Sequence, residues 1–298
     1  MKFSIIVNKW ANFYFFVQNL SEWHFSNRKE YNALWRKELG QFSPKEEQVL
    51  KKFKEIRLRY KQGKTHFERA FFIAESPWEE LKKNLPAEEY IATREVFDLF
   101  EDKFRAIYEK DKVLLKQWEQ NLGDKINDPI FLNSAIEIIS MLYNAPPPDI
   151  EVKVYLLFSA PDRTGGGANI DERSISAEIS RYSLQGINNI LGIILHETIH
   201  LCFEKAHFIP LVEKKFLEDR ETVYLIKEVT VAALFPKGIL ARKFFQSEWN
   251  MIHAKIPAHY TKPILELAGS YIDQNKPFDD EYIEKIYSVV RELKKAIK

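Results

Sequence analysis

Three consecutive prolines, at positions 146 to 148, place the strongest constraint on how this chain folds. Proline cannot continue a helix and favours extended backbone, so any helix before these residues must end there. On the N-terminal side, residues 87–122 carry apolar side chains every three to four positions, which predicts one long amphipathic helix or two shorter ones. Three helix starts are predicted where a capping side chain precedes proline, at Ser43, Ser76 and Asp128. We therefore expect residues 1–145 to form a helical region.

The hydrophobic pattern changes immediately after the prolines. The stretch EVKVYLLFS (151–159) is rich in β-branched and apolar residues, and SISAEIS (174–180) alternates, so both are predicted strands. Glycines 165 to 167, which lie between them, lack the Lys-Ser/Thr of a phosphate-binding loop. We interpret this glycine stretch as a hairpin loop or as the mobile rim of a cleft, and the sequence does not decide between the two.

Helical patterns return after the second strand. One helix is predicted through Phe203, with Ser183 or Asn188 as its cap, and another from about Leu211 to Leu234. Taken together, the patterns predict an α+β fold that is predominantly α. Its helical N-terminal region is followed by residues 146–298, which contain a small β-sheet.

Charge and composition exclude several classes of protein. The chain has 44 basic and 43 acidic residues, which argues against a nucleic-acid binder held by a basic face. No uncharged run reaches the roughly 18 to 20 residues that a membrane span needs. The N-terminal apolar stretch is interrupted by Asn8 and Lys9, so we do not interpret it as an export signal. The single cysteine, Cys202, excludes an intrachain disulfide. We expect a cytoplasmic protein without nucleic-acid or membrane partners.

The stretch HETIH, residues 196 to 200, lies in an apolar run and gives the strongest indication of chemistry. His196 and His200 are four residues apart, so on a helix both imidazoles project from one face and can reach the same metal ion. Glu197 can reach a metal-activated water without binding the metal, which is where a general base must stand. Polar groups in apolar surroundings are costly unless they are coordinated or hydrogen-bonded. We therefore expect a metal site here rather than a purely structural helix.

HETIH resembles the zinc-binding helix of the zincin metallopeptidases, and the resemblance covers about residues 184–235. It implies zinc bound by both histidines, Glu197 as the base and a third protein ligand. The metzincin pattern HExxHxxGxxH is not matched, because Phe203 and Ala206 occupy the positions of its glycine and third histidine. His207 misses that position by one residue and remains an alternative ligand. The gluzincin pattern instead takes a glutamate from the next helix.

Three glutamates are candidates for this third ligand. Glu218 and Glu221 lie in the charged run EDRE, which is typical of an exposed surface. Glu228 lies in the largely apolar stretch YLIKEVTVAAL, where a carboxylate needs a charged partner such as zinc. We predict Glu228 as the ligand, with Glu221 on the same helix face as a supporting residue. Thermolysin-like members orient a zinc histidine with an aspartate at the position of Ala232, so support for the histidines must come from elsewhere here.

The resemblance also implies a substrate cleft. Family members place a strand at the cleft edge just before the histidine helix, and Ile175 to Ser180 holds that place in chain order. A substrate peptide would pair with it by β-augmentation. Gluzincin-like sites usually add a tyrosine or histidine that stabilises the oxyanion. The candidates that come late enough in the chain to fold over the site are Tyr260, His259 and His253.

The expected function is that of a zinc-dependent metallopeptidase that hydrolyses a peptide or protein substrate. Zn²⁺ would be held by His196, His200 and Glu228, with Glu197 as general base. The alternative is a non-catalytic protein that keeps zinc for stability, or that binds a partner through its helical half while the site is silent. The presence of Glu197 favours catalysis, because a structural zinc site needs no base.

Overall fold

The structure, a computed structural model, describes residues 1–23, 29–60, 66–159, 165–169, 173–180, 186–216, 219–236, 238–246 and 258–297. Before the prolines, its elements are β1 (Lys2–Ile6), α1 (Lys9–Ser21), α2 (Lys29–Leu39), α3 (Pro44–Arg59), α4 (His66–Glu68) with a π-helical turn at Arg69–Ile73, α5 (Pro77–Asn84), α6 (Ala87–Ile126) and α7 (Pro129–Tyr143). After them come β2 (Glu151–Ser159), β3 (Gly165–Asn169), β4 (Ser174–Ser180), α8 (Ile187–Cys202), α9 (Phe208–Lys215), α10 (Arg220–Ala232), α11 (Ile239–Phe245), α12 (Ala258–Asp273) and α13 (Asp280–Ile297). The predicted α+β, predominantly α fold is confirmed.

The helix starts predicted in the first half are confirmed. Each predicted side chain accepts a main-chain N–H at the first turn: Ser43 from Glu46, Ser76 from Glu79, and Asp128 from Ile130 and Phe131. The amphipathic stretch in the middle of this half forms one helix of 40 residues, α6. Within the described part of the chain, no helix combines the length and the apolar character needed to cross a membrane.

The single helix predicted over 211–234 is wrong, because the chain forms two helices there, α9 and α10. The second one begins where Asp219 accepts the main-chain N–H of Thr222 at 2.9 Å and caps the new helix. Helix α8 begins after Gly186, with no capping side chain, so Asn188 is not its cap. The other predicted cap, Ser183, lies outside the described residues.

The four strands form one mixed sheet in the order β1-β2-β4-β3. Strands β1, β2 and β4 are parallel, and β3 runs antiparallel to β4 at the edge. The glycine stretch predicted as a loop is therefore a strand. The segment Ile175 to Ser180, predicted at the cleft edge, lies inside the sheet between β2 and β3. Because β1 precedes the prolines and β2 follows them, the sheet contains strands from both sides of the boundary predicted after residue 145.

A side chain of helix α1 continues the hydrogen bonding to β2 beyond the end of β1. Past the end of β1, the main chain of β2 bonds instead to the side chain of Asn12, which is 4 % exposed. Asn12 Nδ2 donates to the carbonyl of Leu156, and the N–H of Phe158 donates to Asn12 Oδ1, both at 2.9 Å. One side-chain amide thus forms hydrogen bonds with two buried main-chain groups of β2.

Replacing Asn12 by alanine is expected to lower the free energy of unfolding by about 2 to 4 kcal/mol, because the carbonyl of Leu156 and the N–H of Phe158 would each lose a buried hydrogen bond. The matched control is Asn133→Ala, which removes an exposed asparagine from α7. Urea unfolding followed by circular dichroism measures both variants. A loss of less than about 1 kcal/mol for Asn12→Ala would mean that water replaces the amide.

Candidate metal centre

Helix α8 presents both histidines of HETIH from one face, and α10 brings Glu228 to them. The Nε2 atoms of His196 and His200 are 3.1 Å apart. Glu228 Oε2 lies 3.7 Å from His196 Nε2, and Glu228 Oε1 lies 3.6 Å from His200 Nε2. These are the three ligands predicted from the sequence. Among the described residues, their donor atoms lie close enough together to hold one metal ion.

The spacing of these donor atoms fits a tetrahedral ion. With metal–ligand bonds of about 2.0 to 2.1 Å, two ligand atoms in tetrahedral geometry lie roughly 3.3 Å apart. The two Nε2 atoms are 3.1 Å apart, each lies 3.6 to 3.7 Å from a different oxygen of Glu228, and one donor atom from each residue can be chosen so that all three lie within 4.8 Å of one another. Two imidazoles and one carboxylate are also a donor set that catalytic zinc sites use, with the fourth position left to water or substrate. The residues present therefore fit Zn²⁺.

A hydrogen bond fixes the far nitrogen of each imidazole. His196 Nδ1 donates to the main-chain carbonyl of Phe235 at 2.7 Å, and His200 Nδ1 donates to Glu204 Oε2 at 2.8 Å. With Nδ1 occupied in both rings, Nε2 is the atom that faces the metal position. Sequence reasoning missed both partners. The spacing of four residues between His200 and Glu204 was a usable signal, whereas no residue type marks a main-chain carbonyl.

Glu197 lies beside the three donors without belonging to their group. Burial raises the pKa of its carboxyl, although His196 and His200 oppose this shift. The main-chain N–H of Ala168, on the edge strand β3, donates to the carboxylate. This contact depends on Gly166, where a Cβ atom would lie 2.5 Å from Ile193 Cγ2 and 3.2 Å from Glu197 Cγ. Strand β3 can therefore approach α8 closely enough for Ala168 to contact Glu197.

In the metal-free site, a proton on His200 compensates the carboxylates. Burial favours the neutral imidazole, but Glu204 outweighs it and raises the pKa of His200 to about 9. Burial also disfavours the charge on Glu228, yet the interactions with His196 and His200 lower the pKa of Glu228 to about 2. At neutral pH, His200 is therefore an imidazolium, and its Nε2 lies 3.1 Å from Nε2 of His196.

Zinc binding to the metal-free protein is expected to release about one proton near pH 7.5, because the ion must displace the Nε2 proton of His200. Glu228 is already ionised at that pH and releases none. As the pKa of His200 is about 9 before zinc binds, apparent zinc affinity should rise about tenfold per pH unit from pH 7 and level off above pH 9. Calorimetric titrations in two buffers of different ionisation enthalpy measure the release. Zinc binding without it would contradict this charge assignment.

The other candidate ligands do not join the donor group within the described residues. Glu221 lies in the first turn of α10 and is exposed, so it does not support the histidines as predicted. His207 is the residue that precedes α9. Glu218 lies outside the described residues. Of the glutamates on the helix after HETIH, Glu228 is thus the one that meets both histidines.

A tyrosine that sequence reasoning did not consider lies near the site. Tyr224 precedes Glu228 by one turn of α10, and it is 40 % exposed. Burial of its hydroxyl and the negative charges of Glu228 and Glu197 raise the pKa of Tyr224 above its ordinary value. The phenol therefore stays protonated at neutral pH and can act as a donor. The predicted donors stay predictions, because the side chains of Tyr260 and His259, in the first turn of α12, and all of His253 lie outside the described part of the chain.

No family model, curated protein or solved structure matches this chain. The case for a function therefore depends on the geometry of the site. That geometry combines three residues whose donor atoms lie within 4.8 Å of one another, a carboxylate beside them and a protonated phenol one helical turn from the third donor.

Proposed function

We propose that this protein is a zinc-dependent peptidase. His196, His200 and Glu228 would hold the ion, and Glu197 would act as general base. The observation that carries the proposal is the position of Glu197, which lies next to a three-donor group but outside it. Structural zinc sites usually have four protein ligands, whereas catalytic sites have three and keep one position open. Among the described residues the group has three donors, and a three-donor group with an adjacent carboxylate is what metal-assisted hydrolysis requires.

Zinc, when bound, would supply Lewis acidity, which polarises a carbonyl group and lowers the pKa of a water molecule. The protein would supply the proton transfers. Glu197 would accept a proton from the attacking water and return it to the nitrogen of the leaving amine. Its raised pKa suits both steps, because proton transfer is most efficient when the pKa of the catalytic group lies near the working pH. The N–H of Ala168 would keep the carboxylate of Glu197 oriented between the two proton transfers.

Tyr224 would stabilise the negative charge that develops on the carbonyl oxygen during attack. Its hydroxyl stays protonated at neutral pH, so it can donate a hydrogen bond to that oxygen. Tyr224 and Glu228 lie one turn apart on α10, so one helix would carry both a metal ligand and the donor. In this proposal Tyr224 is a candidate for the role predicted for Tyr260 and His259.

An extended peptide is the substrate shape that the sheet favours. Strand β3 is hydrogen-bonded to β4 on one side and forms the edge of the sheet. A peptide could add as a further strand through main-chain hydrogen bonds, in the manner that the resemblance to zincins implies for the cleft edge. Gly165 to Gly167 have no side chains to obstruct this pairing, and Ala168 already links β3 to Glu197.

The test is to load the purified protein with zinc, incubate it with a diverse peptide pool and identify the products by mass spectrometry. We expect tight zinc binding, cleavage at internal or terminal peptide bonds, loss of cleavage after removal of zinc by a chelator, and recovery when zinc is restored. If the zinc-loaded protein cleaves no peptide, the non-catalytic alternative replaces the peptidase. If no divalent ion binds, both hypotheses are wrong.

A further inference from the structure

We infer that Glu204 and Lys227 form a positioning pair that fixes His200 for zinc. Glu204 Oε2 accepts from His200 Nδ1 at 2.8 Å and lies 3.4 Å from Lys227 Nζ. The side chain of Glu204 is fully buried, and that of Lys227 is 21 % exposed. The inference rests on the metal site of the proposed function but does not depend on peptide hydrolysis.

A buried carboxylate at this place requires a specific reason. Glu204 follows the end of α8, and its main-chain N–H donates to the carbonyl of Ile199 at 3.2 Å, so the chain turns and directs the side chain back toward His200. A charge taken out of water is costly unless it is paired and hydrogen-bonded. The other oxygen, Oε1, is buried and has no hydrogen-bond partner among the residues that the structure describes. The stabilisation of the charge on Glu204 therefore comes through Oε2, from His200 and Lys227.

The formal charges explain why a lysine is needed as well. Three carboxyl groups lie around the metal position, those of Glu197, Glu204 and Glu228. Zinc carries two positive charges, and Lys227 supplies a third. Because Lys227 directly precedes Glu228 on α10, the same helix that brings a ligand to the metal also brings the cation that holds Glu204 in place.

Such a pair acts on zinc through the orientation of His200. A carboxylate that accepts the Nδ1 proton fixes the tautomer and the ring plane and makes Nε2 a stronger donor to the metal. Lys227 Nζ holds Glu204 Oε2 in place beside His200, and its charge also acts on the neighbouring ligand Glu228. Its effect on the orientation of His200 comes by way of Glu204, so its effect on zinc affinity should become smaller when Glu204 is replaced.

The experiment is a double-mutant cycle of Glu204→Gln and Lys227→Met in the full chain, with zinc affinity measured against a chromogenic chelator. Glu204→Gln is expected to weaken zinc binding by about 10- to 100-fold. Lys227→Met should weaken it several-fold in the wild-type background and clearly less in the Glu204→Gln background. Cobalt substituted for zinc gives a second readout, since its absorption spectrum should change in both single variants. The control is Lys215→Met, which removes a lysine that pairs with Glu284 away from the site and should change neither readout.

The inference is overturned if Glu204→Gln binds zinc within twofold of wild type with an unchanged cobalt spectrum, or if Lys227→Met weakens binding equally in both backgrounds. If Glu204→Gln fails to fold, Lys227→Met decides alone, and unchanged affinity and spectrum overturn the inference. A wild-type protein that binds zinc but cleaves no peptide removes the proposed peptidase and leaves the cycle valid. A wild-type protein that binds no metal removes both.

Discussion

Replacing Glu197 by glutamine is expected to lower kcat for peptide hydrolysis by about 10² to 10⁴-fold, the usual contribution of a general base, while zinc content stays unchanged. Glutamine has nearly the same size and still accepts the hydrogen bond from Ala168, so β3 should keep its place against α8. It cannot accept a proton from water. Steady-state kinetics on the best peptide from the pool and metal analysis of the same sample measure the two effects separately.

The matched control is Glu213→Gln, which removes an exposed carboxylate from α9 and should leave kcat unchanged. A Glu197→Gln variant that keeps zinc and full activity would assign the base to another residue. A variant that loses zinc together with activity would place Glu197 among the ligands. Either result contradicts the roles proposed for the HETIH residues.

Replacing Glu228 by glutamine is expected to weaken zinc binding by about 10² to 10⁴-fold, because a total zinc binding energy of about 10 to 16 kcal/mol is shared among the ligands. A neutral amide is a weaker zinc donor than a carboxylate, and the negative charge next to both imidazoles is lost. Hydrolysis should disappear at stoichiometric zinc and return in part with excess zinc. Competition with a chelator and activity as a function of zinc concentration measure both effects.

The decisive comparison is Glu221→Gln, on the same helix as Glu228. Glu221 is exposed at the first turn of α10, so its replacement should leave zinc affinity and activity unchanged. The opposite pattern, with Glu221→Gln weakening zinc and Glu228→Gln neutral, would refute the donor group of the structure. The pair of variants thus tests the third ligand without altering either histidine.

The three residues of the candidate metal site could be predicted because each has a local signal. Residues four apart on a helix share a face whatever the rest of the fold does, so HETIH specified His196 and His200 together. Glu228 was distinguishable because it lies among apolar residues, where a carboxylate requires a partner. Glu204 was harder to identify, since its contact with His200 depends on a turn after α8 and on the packing of Lys227 from another helix.

The sheet was only partly predictable, for a different physical reason. Strand prediction depends on β-branched and aromatic side chains, and the glycines of β3 have none. What makes Gly165–Asn169 a strand is pairing with β4 and the close approach to α8, and both are tertiary interactions. The break between α9 and α10 is hard to predict because Asp219, its cap, lies in the charged run EDRE, which is equally typical of an exposed helix surface.

The close approach of β3 to α8 at Gly166 restricts which residues this position can accept. Exposed positions ordinarily accept many residues, and Gly166 is exposed. Even alanine would bring its Cβ to 2.5 Å from Ile193 Cγ2, whereas at Gly167 the nearest atom, Ser176 Oγ, is 3.4 Å away. A larger residue at 166 would be admissible only alongside a smaller one at 193. In any set of related chains, these two positions should change together or not at all, while position 167 varies on its own.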